Sequence, residues 1–180
     1  MKKLILILVL SASAYAQSAG EVQKMLVAEA EKLRAAGRDA TIVAAVKAQN
    51  AKKLSLTAIK VADQRWTVGK ESTLVKKTLS SPCASKLRAL IAANPAYSET
   101  FAMDDQGALV CATEKTSDYW QGDESKWERA YNAGKGNVFI DRPKLDESAG
   151  ERIAQISVPV MDGDAAIGVI TVGVVVEKLK

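Results

Sequence analysis

The hydrophobic pattern of this chain changes its period once, close to Asn94-Pro95, and this change constrains the fold more than any other feature. Before it, apolar residues recur at helical spacing. A capping box begins at Ser18, and Asp39 and Ser81 each open a further helical segment. After it, apolar and polar residues alternate, which is typical of half-buried strands. A helical first half followed by a stranded second half predicts an α+β fold.

Five strands are predicted in the second half. The first two form a hairpin across a turn at 104–107, and the last two form another across 162–164. The last strand is apolar on both faces, as expected at the centre of a sheet. An acidic loop is expected at 143–150. The predicted strands are residues 100–103, 108–113, 137–141, 152–160 and 165–176. We therefore expect N-terminal helices packed on a five-stranded antiparallel sheet.

The first sixteen residues have the composition of a signal peptide. Lys2 and Lys3 form a positive start, residues 4–10 are apolar, and Ala14 and Ala16 give the small-residue pattern of a cleavage site before Gln17. The apolar run is far shorter than the ~20 residues of a membrane span. We expect a periplasmic or secreted protein with a single domain at 17–180. Residues 17–96 would form its helical part, and 97–180 its sheet and binding loop.

The chain contains no histidine. This excludes Ser-His-Asp and Cys-His centres as well as zinc or haem sites with histidine ligands. Acidic residues at 104–105 and 162–164 lack the spacing of a calcium-binding loop. We therefore expect no metal, no cofactor and no enzymatic activity, with a carboxylate pair of Asp118 and Asp123 as the remaining catalytic alternative. Without Lys2 and Lys3 the net charge falls from +4 to about +2, which is too weak to indicate nucleic-acid binding.

Two cysteines, Cys83 and Cys111, allow one disulfide in an oxidising compartment. Cysteine is also a common small buried residue. Their spacing does not decide between a bridge and two buried thiols.

Aromatic residues concentrate in the stretch 116–127, which contains two tryptophans, a tyrosine and three acids. Flat apolar walls with a few polar groups are typical of a small-molecule pocket. The alternative is a helix start that its aromatic side chains pack onto the sheet. In either case Asp123 is expected to cap a helix on which Trp127 and Tyr131 share one face.

An ordered set of motifs in the second half resembles the Cache (PDC, PAS-like) family of extracytoplasmic sensor domains. The order of elements is similar as well: helices, two strands, a helical insertion and three strands. The resemblance extends over roughly residues 39–176, and its most specific part is SDYWQGDE at 117–124. The motifs are FAMDDQG at 101–107, TEKTSDYWQGDE at 113–124, VFID at 138–141, VPV at 158–160 and IGVITVG at 167–173.

The resemblance implies a ligand pocket between the sheet and the connection 114–137. It also implies a small polar metabolite (an amino acid, amine or carboxylate) as ligand, and a membrane sensor kinase or chemoreceptor as partner. Because no apolar segment follows the last predicted strand, we expect a free, non-enzymatic periplasmic binding protein that presents its ligand state to such a partner. The alternative is a structural module with a vestigial pocket that forms a homodimer through its N-terminal helices.

Candidate ligand contacts follow from this placement. Tyr119 and Trp120 are adjacent aromatics on one loop, and they cannot both face the same core. Asp118 would hold an ammonium group, with a turn cap as its alternative role. Arg142 offers the bidentate fork that suits a ligand carboxylate. The predicted contacts are Tyr119, Trp120, Asp118, Ser117, Arg142, Lys126, Tyr97 and Met103.

Overall fold

A computed structural model describes residues 18–147 and 150–180 of the chain. The predicted signal peptide and its cleavage site before Gln17 lie outside the described residues. Among the residues that are described, no helix is long and apolar enough to cross a membrane.

Six α-helices are described, and five of them precede the sheet. Four of the first turns are capped by side chains. Ser18 and Glu21 form a complete capping box, and Asp39, Ser55 and Ser81 each accept hydrogen bonds from backbone N–H groups of the following turn. The first helix ends at Leu33, and a separate 3₁₀ turn follows at Ala36–Arg38. The helices are α1 (Ala19–Leu33), α2 (Ala40–Asn50), α3 (Leu56–Thr67), α4 (Ser72–Ser80), α5 (Pro82–Ala93) and α6 (Ser125–Tyr131).

The described strands form one antiparallel sheet, which confirms the predicted α+β class. Along the main path the order is β2-β1-β6-β5-β3. The predicted loop at 143–150 is wrong in one part: residues 144–146 pair with Arg152 and its neighbours and extend the sheet by a short sixth strand. The strands are β1 (Tyr97–Met103), β2 (Leu109–Ala112), β3 (Phe139–Ile140), β4 (Lys144–Asp146), β5 (Glu151–Asp162) and β6 (Ala165–Val175).

The two faces of the sheet carry separate apolar cores. On the helix-side face, α1, α2 and α5 pack against alternate residues of the long central strands, such as Ile156 and Val172. On the other face, which we call the α6-side face, Phe101, Met103 and Val169 pack against α6 and residues of α3. Residues 154–158 alternate between the faces, so polar Gln155 and Ser157 fall on the α6-side face. That face therefore holds the polar groups available for a site.

A disulfide joins Cys83 of α5 to Cys111 of β2, with 5.9 Å between their Cα atoms. Both residues lie in the helix-side core. The sequence left open a bridge and two buried thiols, and the structure has the bridge. It fixes the edge strand β2 to the helical half.

Candidate functional site

The aromatic stretch 116–127 is held in place by α3. One carboxylate oxygen of Asp63 accepts hydrogen bonds from the backbone N–H groups of Tyr119 and Trp120, at 2.7 and 3.0 Å. The indole N–H of Trp66 donates to the carbonyl oxygen of Thr116 at 2.9 Å. The path of this connection is therefore set by its hydrogen bonds to α3.

The two adjacent aromatics of the stretch point in different directions. Tyr119 is 2% exposed, and its ring centroid lies 5.7 Å from that of Trp66. Burial and the negative charge of Asp104 raise the pKa of Tyr119 to about 12. Trp120 instead lies along the β1–β2 turn and donates its indole N–H to the carbonyl oxygen of Gln106 at 2.8 Å. Both side chains therefore contact other parts of this chain.

The turn beneath Trp120 shows how closely the stretch packs on the hairpin. Gly107 has a φ of +83°, and a Cβ at this position would lie 2.3 Å from the Cα of Gly122. Any larger residue would push the two segments apart. The glycines of both sequence motifs are thus required by this contact.

The polar residues before Tyr119 form a local turn. The Ser117 hydroxyl donates to the Asp118 carboxylate at 2.7 Å. The Asp118 carbonyl oxygen accepts from the hydroxyl of Thr116 at 2.7 Å and from the side-chain amide of Gln121 at 2.9 Å. These contacts correspond to the turn-capping role considered for Asp118.

Tyr97 and Met103 lie in the two different cores. The Tyr97 hydroxyl donates to the carboxylate of Glu29 at 2.8 Å on the helix-side face. Burial and this neighbouring charge raise the pKa of Tyr97 above its usual value. Met103 is fully buried on the α6-side face.

A charged cleft opens on the α6-side face, beyond the aromatic core. It has two adjoining lobes of about 340 and 370 Å³, which share Glu124, Lys126, Asp141, Lys144 and Gln155. Volumes of this size are typical of small-molecule sites. The first lobe adds Glu99, Arg142, Leu145, Asp146 and Ile153, and the second adds Ser125, Arg129 and Phe139.

The central cation of this cleft is Lys126, whose side chain is only 12% exposed. Lysine is rarely buried to this extent without a partner, because its ammonium group loses hydration. Here the ammonium lies 2.8 Å from the carboxylate of Glu124 and 5.3 Å from the centroid of the Phe101 ring. The charge is thus held between a carboxylate and an aromatic face.

Helix α6 positions Lys126. Its next residue, Trp127, donates its indole N–H to the carbonyl oxygen of Asp104 at 3.0 Å and stacks on Tyr131 with 5.0 Å between ring centroids. The helix begins at Ser125, so Asp123 is not its cap; the prediction for Asp123 was wrong. The reason is a turn that closes first, in which the Glu124 N–H donates to the carbonyl oxygen of Gln121 at 3.1 Å.

The segment after β3 contributes Asp141 and Arg142 to the cleft, and the start of β4 contributes Lys144. Burial opposes ionisation of Asp141, but the Lys144 ammonium at 2.7 Å and the Arg142 backbone N–H outweigh it, so the pKa of Asp141 lies below its usual value. The guanidinium of Arg142 is exposed and has no hydrogen bond or ion pair to any described residue. This side of the cleft therefore offers one stably ionised carboxylate and one available guanidinium.

The sheet supplies the remaining polar groups of the cleft. Gln155 of β5 donates its side-chain amide to the carboxylate of Glu99 of β1 at 3.1 Å. Farther along the same face, the hydroxyls of Ser157 and Thr171 form a buried pair at 2.8 Å. A row of polar side chains thus crosses the centre of the sheet.

The structure brings together two of the eight predicted contacts, Lys126 and Arg142, at the charged cleft. It does not bring Tyr119, Trp120, Asp118, Ser117, Tyr97 or Met103 to it. The remaining lining residues were missed, Glu99 and Asp141 among them. One signal pointed to the cleft: Gln155 and Ser157 interrupt an otherwise apolar strand on a single face.

No family model and no curated protein matches the chain. The solved structures similar to it include the extracellular domain of the histidine kinase rpHK1S-Z16, at 19% identity over 71% of this chain with a TM-score of 0.42. They also include the ligand-binding domain of the Campylobacter jejuni chemoreceptor Tlp3 with 4-methylisoleucine, at 12% over 88% with a TM-score of 0.42. The ligand-binding domain of the Pseudomonas aeruginosa amino-acid chemoreceptor PctC with GABA is a third, at 12% over 89% with a TM-score of 0.41.

These similar structures are sensor domains of the kind that the sequence motifs resemble. This chain covers 58%, 61% and 62% of their respective lengths. Similarity at this level carries no conclusion about what the chain binds. Fold and site together define the class: an α+β domain with a ligand-sized, charged cleft on one face of an antiparallel sheet.

Proposed function

We propose that this chain is an exported, non-enzymatic sensor-type domain that binds a small zwitterionic metabolite, such as an amino acid, in the charged cleft. The observation that carries the proposal is the placement of Lys126. Its side chain is only 12% exposed and lines a cleft with room for such a ligand, together with the carboxylates of Glu99 and Asp141. Burying a charge is costly, and a structural role alone does not require an open cleft above it.

The two walls of the cleft suit the two ends of a zwitterion. A ligand carboxylate would accept from Lys126 and from the guanidinium of Arg142, which has no partner among the described residues and offers a bidentate fork. A ligand ammonium would donate to Asp141 or Glu99, of which Asp141 is held in its ionised form. An amine alone would pair only with the carboxylates of the cleft, and a carboxylate alone would pair only with its cations.

A change of ligand state would be passed on through α6. Lys126 belongs to this helix, and Trp127 of the same helix contacts the β1–β2 turn. Ordering of Lys126 by a ligand would therefore fix the position of α6 and of the connection before it. We propose that a membrane sensor kinase or chemoreceptor recognises this surface, in keeping with the motifs that resemble Cache domains. The export signal predicted from the sequence supports a location in the periplasm or outside the cell as part of this proposal.

A thermal-shift screen over amino acids, amines and carboxylates, repeated with Arg142→Gln, tests the proposal. We expect an amino acid to raise the melting temperature of the wild-type protein and Arg142→Gln to weaken that ligand's binding. Lys24→Gln, which removes an exposed charge from α1, is the matched control and should bind as the wild type does. If no compound of the three classes raises the melting temperature, the cleft is not a metabolite site and the structural-module alternative is favoured.

A further inference from the structure

A second cleft lies on another part of the molecule and shares no lining residue with the charged cleft. It has a volume of about 130 Å³ and is lined by Arg34, Arg38, Gly136, Pro159 and Met161. Its lining contains two guanidinium groups, two apolar side chains and no carboxylate. The volume corresponds to roughly four water molecules at about 30 Å³ each.

The two arginines are brought to this cleft by the 3₁₀ turn after α1. Within that turn, Gly37 packs directly on β5, because a Cβ there would lie 2.1 Å from the carbonyl oxygen of Pro159. Arg34 and Arg38 flank this contact four residues apart, so both side chains reach the same opening over Pro159 and Met161. The close approach of Gly37 thus fixes the arginines relative to the apolar wall.

The charges of the pair are only partly compensated. Arg34 uses its Nε to bind the carboxylate of Glu31 at 2.8 Å, which leaves its terminal nitrogens available. The guanidinium of Arg38 has no hydrogen bond or ion pair with any residue of 18–147 or 150–180. Two guanidinium groups that line one small cleft repel each other. An anion between them would relieve the repulsion and supply acceptors for the guanidinium nitrogens that bind no described residue.

We infer that this cleft binds a small monocarboxylate with a short apolar tail. The carboxylate accepts from Arg34 and Arg38 in the bidentate geometry that guanidinium groups favour. The tail packs on Pro159 and the flexible thioether of Met161. The volume admits an acid of about butyrate size and excludes a large metabolite.

Sodium butyrate titrated into the full chain, with methionine methyl groups labelled for NMR, tests this site directly. The chain has four methionines, so few signals arise, and Met161→Leu assigns the one in the cleft. Butyrate should shift the Met161 methyl signal in a saturable way and leave that of Met103 unchanged, because Met103 is buried on the α6-side face. Butyramide, the neutral analogue, and sodium chloride should leave both signals unchanged.

Variants separate the role of the arginine pair from a general effect of charge. Arg38→Gln should weaken butyrate binding roughly tenfold or more, as expected for loss of a charge-assisted hydrogen bond. Arg38→Lys, which keeps the charge but loses the fork, should bind with intermediate affinity. Lys24→Gln, on the same α1 segment, should bind butyrate as the wild type does.

Three results would overturn the inference: no Met161 shift at saturating butyrate, an equal shift with butyramide or chloride, or unchanged butyrate binding in Arg38→Gln. In those cases the arginines serve only to complement the carbonyl end of α1. Far-UV circular dichroism of each variant confirms that the fold is retained.

Discussion

Asp63 is the residue on which the position of the aromatic stretch depends most, and its replacement by alanine is a sharp test of the structure. One oxygen of its carboxylate accepts two backbone N–H groups, from Tyr119 and Trp120, at 2.7 and 3.0 Å. A hydrogen bond to a charged group contributes about 1.5–3 kcal/mol to stability. Because Asp63 is only half-buried, water replaces part of this interaction, and the lower value applies to each bond.

The two bonds together then contribute about 3 kcal/mol. Alanine is the better helix former within α3, which returns up to about 0.7 kcal/mol. We therefore expect Asp63→Ala to lower the free energy of unfolding by about 2 kcal/mol, which for a domain of this size lowers the melting temperature by about 4–8 °C.

Urea unfolding followed by tryptophan fluorescence measures this loss, because Trp66 and Trp120 lie beside the affected contacts. Asp63→Asn keeps an oxygen acceptor and removes the charge, so it should lose about half as much. Gln64→Ala changes an exposed neighbour on the same helix and should leave the urea midpoint unchanged or slightly raised. An Asp63→Ala protein with the wild-type midpoint would show that α3 does not anchor the stretch.

Three further predictions concern stability. Replacing both Cys83 and Cys111 by alanine opens a loop with a sequence separation of 28 residues. The loop-entropy relation predicts that the free energy of unfolding falls by about 3–4 kcal/mol. A wild-type midpoint in chemical denaturation would contradict this prediction. Tyr97→Phe removes one of the donors to Glu29, which is 5% exposed, and should cost about 1–3 kcal/mol in the same assay. Tyr131→Phe removes a hydroxyl that has no hydrogen bond to a described residue, so this comparison variant should cost less. Burial raises the pKa of Asp104 above its unfolded value, so its contribution to stability is largest at low pH and falls as the pH rises through the folded pKa. Asp104→Asn removes this pH dependence. The free energy of unfolding of the variant minus that of the wild type should therefore increase from pH 4 to pH 7. A difference that does not change with pH would contradict the burial of this charge.

The sequence predicted those features of the fold that depend on neighbouring residues. Caps at Ser18, Asp39 and Ser81 are satisfied within one helical turn, so a local motif is enough to place them. The start of α6 was misplaced because the turn from Gln121 to Glu124 competes with the cap at Asp123. Strand β4 was missed because its three residues are largely polar and exposed, and only pairing with β5 makes them a strand.

The candidate site was predicted less well because its parts come from distant segments. Lys126 and Arg142 were found as cations near the predicted connection, whereas Glu99 reaches the cleft only through the pairing of β1, β6 and β5. Tyr119 was predicted as a ligand contact, but its side chain lies in the core. Its aromatic and acidic neighbours are typical of a pocket, yet tertiary contacts to Trp66 and Asp63 direct the ring into the core. Composition identified an important segment without specifying which way its side chains point.

The most direct test of the proposed site is the calorimetric titration of the wild-type protein, Lys126→Gln and Lys24→Gln with the amino acids that the thermal-shift screen selects. Loss of the buried ammonium removes a charge-assisted hydrogen bond to the ligand, so Lys126→Gln should weaken binding by roughly 10- to 100-fold. Lys24→Gln should retain the wild-type affinity. Equal affinities for all three proteins would contradict a ligand site built around Lys126.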